Sequence, residues 1–203
     1  MRRIGHYVLV LFVVILLAEG TYSIYRLQRA GYGITTIMIP DKKENLRGLL
    51  LFLYNDLELT QLRKIFYLEK GLPLQMPKDG VPGAEIQQWN FTCRLTGEVF
   101  VPETSVYEFR TKFLHGMALF IDGVKIGDFL DTKGWRETYI PDISLEQGWH
   151  DIEFKLNIIS YGGYLELWYR TGNNTPFIHV TTDNLRPDIP SHTEQINNVD
   201  FHE

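Results

Sequence analysis

The stretch VYEFRTKFLHGMALFIDGVKIGDF, residues 106–129, decides the fold class. Its first eight side chains alternate between two sides, with Val106, Glu108, Arg110 and Lys112 on one and Tyr107, Phe109, Thr111 and Phe113 on the other. A period of two is typical of a half-buried antiparallel strand. Further on, Asp122-Gly123 joins two apolar runs through a two-residue loop, and a type I′ turn needs positive φ at both of its central residues. The stretch therefore predicts an antiparallel strand followed by a β-hairpin.

Similar runs recur along the chain, and each is bounded by turn residues. They are rich in β-branched and aromatic residues and lie at Leu49–Tyr54, Trp89–Thr96, Ser105–Phe113, Ala118–Ile121, Val124–Phe129, Glu137–Ile140, Gly148–Ile158 and Gly163–Tyr169. In WHDIEFKLNI, residues 149–158, polar and apolar side chains again alternate, and GGYLELWY, residues 162–169, returns as a partner. Short strands at this spacing predict an all-β sandwich or barrel.

One segment departs from the strand pattern. LTQLRKIFYLEKG, Leu59–Gly71, has apolar residues at helical spacing and ends in glycine. This pattern predicts a short helix, and irregular chain is the alternative.

The N-terminal segment IGHYVLVLFVVILLAEGTYSIY, residues 4–25, predicts a membrane span. Its apolar run is unbroken from Tyr7 to Ala18, and arginines precede and follow the segment. At about 1.5 Å per residue it is long enough to cross a hydrocarbon core of about 30 Å. We therefore expect a single N-terminal transmembrane helix within residues 1–29, which tethers the protein to a membrane. A secretory signal peptide cleaved after Gly20 is the alternative.

The remaining chain divides into three parts. Residues 30–45 contain Gly, Pro and a charged cluster, which predicts a linker, although ITTIMI within it is compatible with a short strand. Residues 46–182 form the predicted β domain. Residues 183–203 are polar, contain two prolines and show no periodicity, which predicts a disordered tail or an extension that binds a partner.

The composition argues against nucleic-acid binding and against sites built from cysteines. The 203 residues carry a net charge of −5 without a stripe of Lys and Arg, which argues against nucleic acid as a partner. Cys93 is the only cysteine, so neither an intrachain disulfide nor a zinc site of the usual spacing can form. Its neighbours Phe91 and Leu95 predict a buried thiol on a strand.

The order of motifs resembles the protective-antigen fourteen-kilodalton (PA14) domain family, over about residues 46–172. The resemblance rests on Leu46-Arg47-Gly48-Leu49, Phe91, Gly97, Val101-Pro102, Tyr107-Glu108-Phe109, the hairpin residues Leu119, Ile121, Asp122, Gly123 and Lys125, the run Leu145, Gly148, His150 and Ile152, and Leu165, Leu167 and Trp168. It implies an antiparallel β-sandwich that binds carbohydrate or proteins at a cell surface. It also implies that the domain lies in the periplasm or the extracellular space.

The same resemblance bears on calcium. Sugar-binding members of the family carry two consecutive Asp residues before a Gly, which hold a calcium ion that ligates sugar hydroxyls. The corresponding residues here are Leu114 and His115, before Gly116. Calcium needs six to eight oxygen ligands, so the substitution removes the centre of that site. We therefore expect no cofactor and no tight calcium site.

Two sets of residues remain candidates for binding. Trp135 follows Gly134 in a loop, where an exposed indole can stack on a sugar ring while His115 and Arg136 donate hydrogen bonds; a core position for Trp135 is the alternative. Asp122, Asp128 and Asp131 are metal candidates, with turn formation and solvated loop as the competing interpretation.

Catalysis has no positive indication in the sequence. Glu137 with Asp142, or Asp151 with Glu153, offer acid–base pairs, but charges that alternate along a strand are typical of its solvated face. We therefore expect no enzyme, but a membrane-anchored extracytoplasmic binding module. It either docks as an accessory subunit on a larger membrane or envelope complex or binds a surface carbohydrate, with calcium-dependent lectin activity and glycan processing as alternatives.

Overall fold

A computed structural model describes residues 22–29, 32–40, 46–76, 89–160, 162–172 and 174–188, the first two ranges as backbone. Within these ranges the chain forms fourteen β-strands and no α-helix. They are β1 (Tyr22–Arg29), β2 (Tyr32–Pro40), β3 (Leu49–Tyr54), β4 (Leu62–Leu68), β5 (Leu74–Met76), β6 (Phe91–Val101), β7 (Ser105–Leu114), β8 (Gly116–Ile121), β9 (Val124–Phe129), β10 (Trp135–Leu145), β11 (Gly148–Ile158), β12 (Gly163–Thr171), β13 (Ile178–His179) and β14 (Leu185–Arg186). The prediction of an all-β chain is confirmed for the residues described.

Two antiparallel sheets share one core. A five-stranded sheet has the order β10-β7-β12-β13, with β5 also paired to β12. A seven-stranded sheet has the order β4-β3-β6-β11-β8-β9, with β14 also paired to β6. The inner faces of both sheets contribute to the main hydrophobic cluster. The strands predicted at Leu49–Tyr54, Val124–Phe129 and Gly148–Ile158 have the predicted bounds.

The alternation predicted for residues 106–113 is confirmed by burial. Tyr107, Phe109, Thr111 and Phe113 are fully buried, whereas the three charged residues between them are partly exposed. Phe154 of β11, which belongs to the facing sheet, is also fully buried. Each fully buried Phe contributes about 1.5–3 kcal/mol of hydrophobic stabilisation. Cys93 is buried on β6, as the sequence predicts.

The predicted hairpin is also confirmed. Asp122 and Gly123 connect β8 to β9 and have φ of 49° and 74°, the positive values that a type I′ turn requires. The Asp122 carboxylate accepts a hydrogen bond from the backbone N–H of Asp151 at 3.0 Å. The turn is therefore attached to the neighbouring strand β11.

The helix predicted over Leu59–Gly71 is wrong. Residues Leu62–Leu68 form β4, which pairs antiparallel with β3 and lies at the edge of the seven-stranded sheet. Ile65 is buried in a second, smaller cluster with Leu46 and Leu50. The backbone of β3 offers a free edge to this segment, and tertiary pairing of this kind overrides a weak local helical pattern.

The N-terminal predictions fall largely outside the described residues. Residues 1–21, which hold most of the predicted transmembrane helix, are among those not described. The last part of that predicted helix, Tyr22–Arg29, forms β1 and pairs antiparallel with β2, which occupies part of the predicted linker. The β-branched and aromatic residues of both strands favour extended backbone. None of the described segments is a helix long and apolar enough to cross a membrane.

The ordered chain continues past the predicted domain end at residue 182. Thr182–Asn184 form a short 3-10 turn, and β14 then pairs with β6. Leu185 is fully buried, so burial of its side chain holds this segment on the sandwich. Residues 189–203 of the predicted tail are not described.

Candidate functional site

The candidate site lies at one end of the sandwich, where the β7–β8 turn meets the loop before β10. The backbone N–H of His115 in the turn donates a hydrogen bond to the carbonyl of Gly134 in the loop, at 2.9 Å. A Cβ added to Gly116 would lie 2.2 Å from the carbonyl oxygen of Leu130. Only glycine permits this approach of the two backbones, so Gly116 fixes the position of the loop.

His115 lies beneath the surface of this end. Its side chain is 4% exposed, and its Nε2 is 3.2 Å from the hydroxyl oxygen of Ser160. Burial lowers the pKa of His115, so the imidazole is neutral at pH 7. A buried neutral ring supports the turn, and it is not placed to donate hydrogen bonds to a ligand in solvent.

Trp135 is exposed at the start of β10. Its side chain is 60% accessible, which excludes the alternative of a core position. Tyr164 packs against the indole with ring centroids 5.0 Å apart, and Lys112 Nζ lies 5.6 Å from the centre of the same ring. Neighbours on two adjacent strands therefore hold the indole in place while it remains accessible.

Arg136, the next residue on β10, lines a depression at the same end of the sandwich. The depression has a volume of about 540 Å³ and is lined by Asp128, Phe129, Leu130, Asp131, Thr132 and Arg136. The Arg136 guanidinium lies 4.8 Å from the centre of the Phe129 ring. Lys125 donates a hydrogen bond to Asp128 at 2.5 Å, and this bond lowers the pKa of that carboxyl. The depression thus offers both donors and acceptors to a polar ligand.

The three aspartates considered as metal ligands do not lie close together. Asp128 and Asp131 share the depression, whereas Asp122 lies at the opposite end of β9. Both carboxylate oxygens of Asp122 are already engaged, one with the backbone of Asp151 and the other with His150. In the part of the chain that the structure describes, no group of three or more His, Cys, Asp or Glu could hold a metal ion.

Two of the carboxylates considered for acid–base chemistry are held in ion pairs. Glu137 lies 3.7 Å from Arg110, and Glu153 lies 2.7 Å from Arg94. Both pairs join neighbouring strands on outer sheet faces, which agrees with the interpretation of these residues as a solvated face.

The sequence interpretation missed a surface next to Trp135. On the outer face of the five-stranded sheet, cross-strand partners from β10, β7 and β12 form three rows: Trp135, Leu114 and Tyr164; Glu137, Lys112 and Glu166; and Tyr139, Arg110 and Trp168. We call these nine residues the striped face. Its signal in the sequence is the period-two placement of Trp135, Glu137 and Tyr139, but the prediction for this strand began only at Glu137.

Comparison with known proteins links this architecture to several solved structures. No protein-family model matches the sequence, and no curated protein matches it significantly. An anti-sigma factor domain-containing protein is similar to 71% of this chain, with 21% identity and a TM-score of 0.61. A second such protein, from Clostridium clariflavum, is similar to 72% of the chain, with 22% identity and a TM-score of 0.57. The chain spans about half the length of these two proteins, 48% and 49%.

Two further solved structures are PA14 domains. The PA14 domain of the MpAFP antifreeze protein is similar to 69% of this chain and is itself covered to 90%, with 12% identity and a TM-score of 0.56. The PA14 sugar-binding domain of an RTX adhesin is similar to 70% of the chain and is covered to 99%, with 11% identity and a TM-score of 0.52. These similarities concern the fold alone.

Proposed function

We propose that this protein is a non-enzymatic carbohydrate-binding module of the PA14 type, which binds its ligand at the end of the sandwich around Trp135 and Arg136. The exposed indole of Trp135 carries the proposal. Exposed aromatic side chains that lie together mark ligand-binding surfaces, and the flat face of an indole suits the C–H face of a pyranose. The depression that Arg136 lines at the same end of the sandwich would supply hydrogen-bonding groups for the hydroxyls.

The proposed mode of binding does not depend on calcium. Leu114 and His115 stand where the family's calcium lectins have adjacent aspartates, and His115 is buried. Arg136 would donate to sugar hydroxyls, and Asp131 would accept from them. The similarity in fold to a PA14 sugar-binding domain supports the ligand class.

We further propose that the apolar segment before β1, residues 4–21, tethers the domain to a membrane and that the domain lies in the periplasm or the extracellular space. The apolar sequence of this segment and the ligand class support the proposal. Mass spectrometry of the protein purified from membranes tests it, because the intact N-terminal segment should be present. A mature chain beginning at Thr21 would contradict the tether and indicate a signal peptide.

A glycan array probed with the full chain tests the binding function. We expect retention on a subset of glycans, and loss of retention in Trp135→Ala and Arg136→Ala. Trp149→Ala is a matched control, because Trp149 lies on the outer face of the other sheet with Arg186 at 4.4 Å from its ring. If nothing on the array binds while membrane subunits co-purify stably with the chain, the accessory-subunit function replaces this proposal.

A further inference from the structure

The striped face continues from Trp135 along the edge strand β10. Trp135 and Tyr139 are four residues apart on this strand and are 60% and 57% exposed. At about 3.3 Å per residue they are separated by about 13 Å. This distance exceeds the length of one pyranose ring, so a carbohydrate in contact with both side chains must contain more than one sugar unit.

Other rings hold these two aromatic side chains in position. Tyr164 packs on Trp135, and Phe177 lies 5.7 Å from Tyr139 with the rings tilted by 47°. Arg110 lies 4.9 Å from the centre of the Phe177 ring and 4.5 Å from that of Trp168. Platforms fixed in this way lose little conformational entropy when a ligand stacks on them.

A row of polar groups lies between the two aromatic rows. Lys112 is flanked by Glu137 on β10 and by Glu166 on β12. The Glu137 side chain is 50% exposed, so its carboxylate can accept hydrogen bonds from a ligand. An acceptor, a donor and a second acceptor in one row match the mixed hydroxyl groups of a sugar.

The charges of this face indicate a neutral ligand. Two cations of the striped face, Arg110 and Lys112, stand beside its two carboxylates, Glu137 and Glu166, and Arg170 and Glu108 form a further pair at its border. Arg170 lies 2.5 Å from Glu108, and Arg110 lies 3.7 Å from Glu137. With cations and carboxylates equal in number, the face has no net charge with which to attract an ionic polymer.

The same charges argue against a protein partner on this face. The cores of protein interfaces are depleted in charged residues, and Lys and Glu are disfavoured there. Here Lys112, Glu137 and Glu166 occupy the centre of the surface. An aromatic surface divided by a charged row suits a hydroxylated chain better than the apolar patch of another protein.

From this geometry we infer that the striped face binds a neutral oligosaccharide chain, which extends along β10 from Trp135 past Glu137 to Tyr139. The inference rests on the proposed carbohydrate function and adds the extent and the charge class of the ligand. The ligand's first sugar would occupy the end of the sandwich near Arg136. The following sugars would contact Glu137, Lys112 and Tyr139.

Calorimetric titration of the full chain tests the inference. The probes are cellobiose and cellohexaose, mannobiose and mannohexaose, and xylobiose and xylohexaose, with polygalacturonate as the anionic comparison. We expect a hexasaccharide to bind about tenfold more tightly than its disaccharide, because it also reaches Tyr139. Tyr139→Ala should remove this advantage and leave disaccharide binding unchanged, whereas Glu137→Gln should weaken the binding of both, because the second sugar contacts Glu137. Trp149→Ala should bind as the wild type does.

Each remaining outcome has a definite meaning. If hexasaccharide and disaccharide bind equally, and only Trp135→Ala weakens binding, the extended face is refuted and the proposed function stands. Tighter binding of polygalacturonate than of every neutral probe would refute the neutral ligand. If no sugar binds in any form, both proposals fail. Because Tyr139 is exposed, near-wild-type thermal unfolding of Tyr139→Ala will show that a loss of binding is not a loss of folding.

Discussion

At the scale of single residues, His150 links the β8–β9 hairpin to the rest of the sheet. Its Nδ1 lies 2.7 Å from the Asp122 carboxylate, and its Nε2 lies 2.7 Å from the carbonyl oxygen of Glu146. A neutral imidazole has one N–H, so both contacts are hydrogen bonds only when the ring is protonated. Burial lowers the pKa of His150, but the bonds to Glu146 and Asp122 outweigh it and raise the pKa overall.

This arrangement predicts a stability that depends on pH. A histidine whose pKa is raised on folding contributes stability fully below its unfolded pKa of about 6.5, and the contribution is lost as pH rises through the folded pKa. Asp122→Asn should therefore lower the melting temperature more at about pH 5.5 than at about pH 8.5. In a His150→Gln background the difference between the two pH values should disappear. An equal effect of Asp122→Asn at both pH values would contradict the protonated link.

At the scale of elements, the β8–β9 turn gives a prediction about backbone conformation. Gly123 has φ of +74°, and a Cβ added there would meet no atom within 4 Å. Gly123→Val should therefore cost more than about 1 kcal/mol of folding stability through backbone strain alone. Gly123→Asn is the control, because asparagine tolerates positive φ. Chemical denaturation measures both, and an unchanged stability of the valine variant would disprove the strain.

The contact between the β7–β8 turn and the 130–134 loop gives a second prediction at this scale. Gly116→Ala would place a methyl group 2.2 Å from the Leu130 carbonyl oxygen, so the loop must move. We expect a loss of about 1–3 kcal/mol, the usual cost of overpacking, together with weaker glycan binding. Gly127→Ala on β9 is the control, because its new methyl group would meet the movable Phe129 side chain at 3.1 Å. If both variants melt alike, the close backbone contact does not fix the loop.

At the scale of the whole molecule, the separation of the aspartates predicts that calcium does not change the thermal stability of the protein. Asp122 lies at the far end of β9 from Asp128, and the described residues contain no metal-binding group of three. A ligand present at one hundred times its dissociation constant stabilises the folded state by about 2.7 kcal/mol. Thermal melts with millimolar calcium and with a chelator should therefore coincide. A rise with calcium that is lost in Asp122→Ala or Asp131→Ala would restore the calcium-dependent lectin.

The sequence predicted more of the fold than of the candidate site. Alternation over 106–113 predicted the inner and outer sides of β7 correctly, because burial of every second side chain is a local property of a strand. The segment Leu62–Leu68 was mispredicted, since its pairing with β3 is a long-range contact. In the site, the sequence singled out Trp135 and Arg136 but did not predict that His115 is buried or that Asp122 lies apart from the other aspartates.

The sequence by itself determined the positions of the strands β3 and β6–β12, the Asp122-Gly123 turn and the absence of adjacent aspartates before Gly116. The strands follow from the period of the side chains, the turn from the φ that each residue type tolerates, and the missing aspartates from the residue types themselves. All three are local properties of the sequence. Only the tertiary structure decided which strands are neighbours. The order β10-β7-β12 and its register align Trp135 with Tyr164 and Glu137 with Lys112, and so create the striped face. The pattern along one strand fixes which side chains face the core and so restricts the register, but it leaves open which distant strand becomes the neighbour.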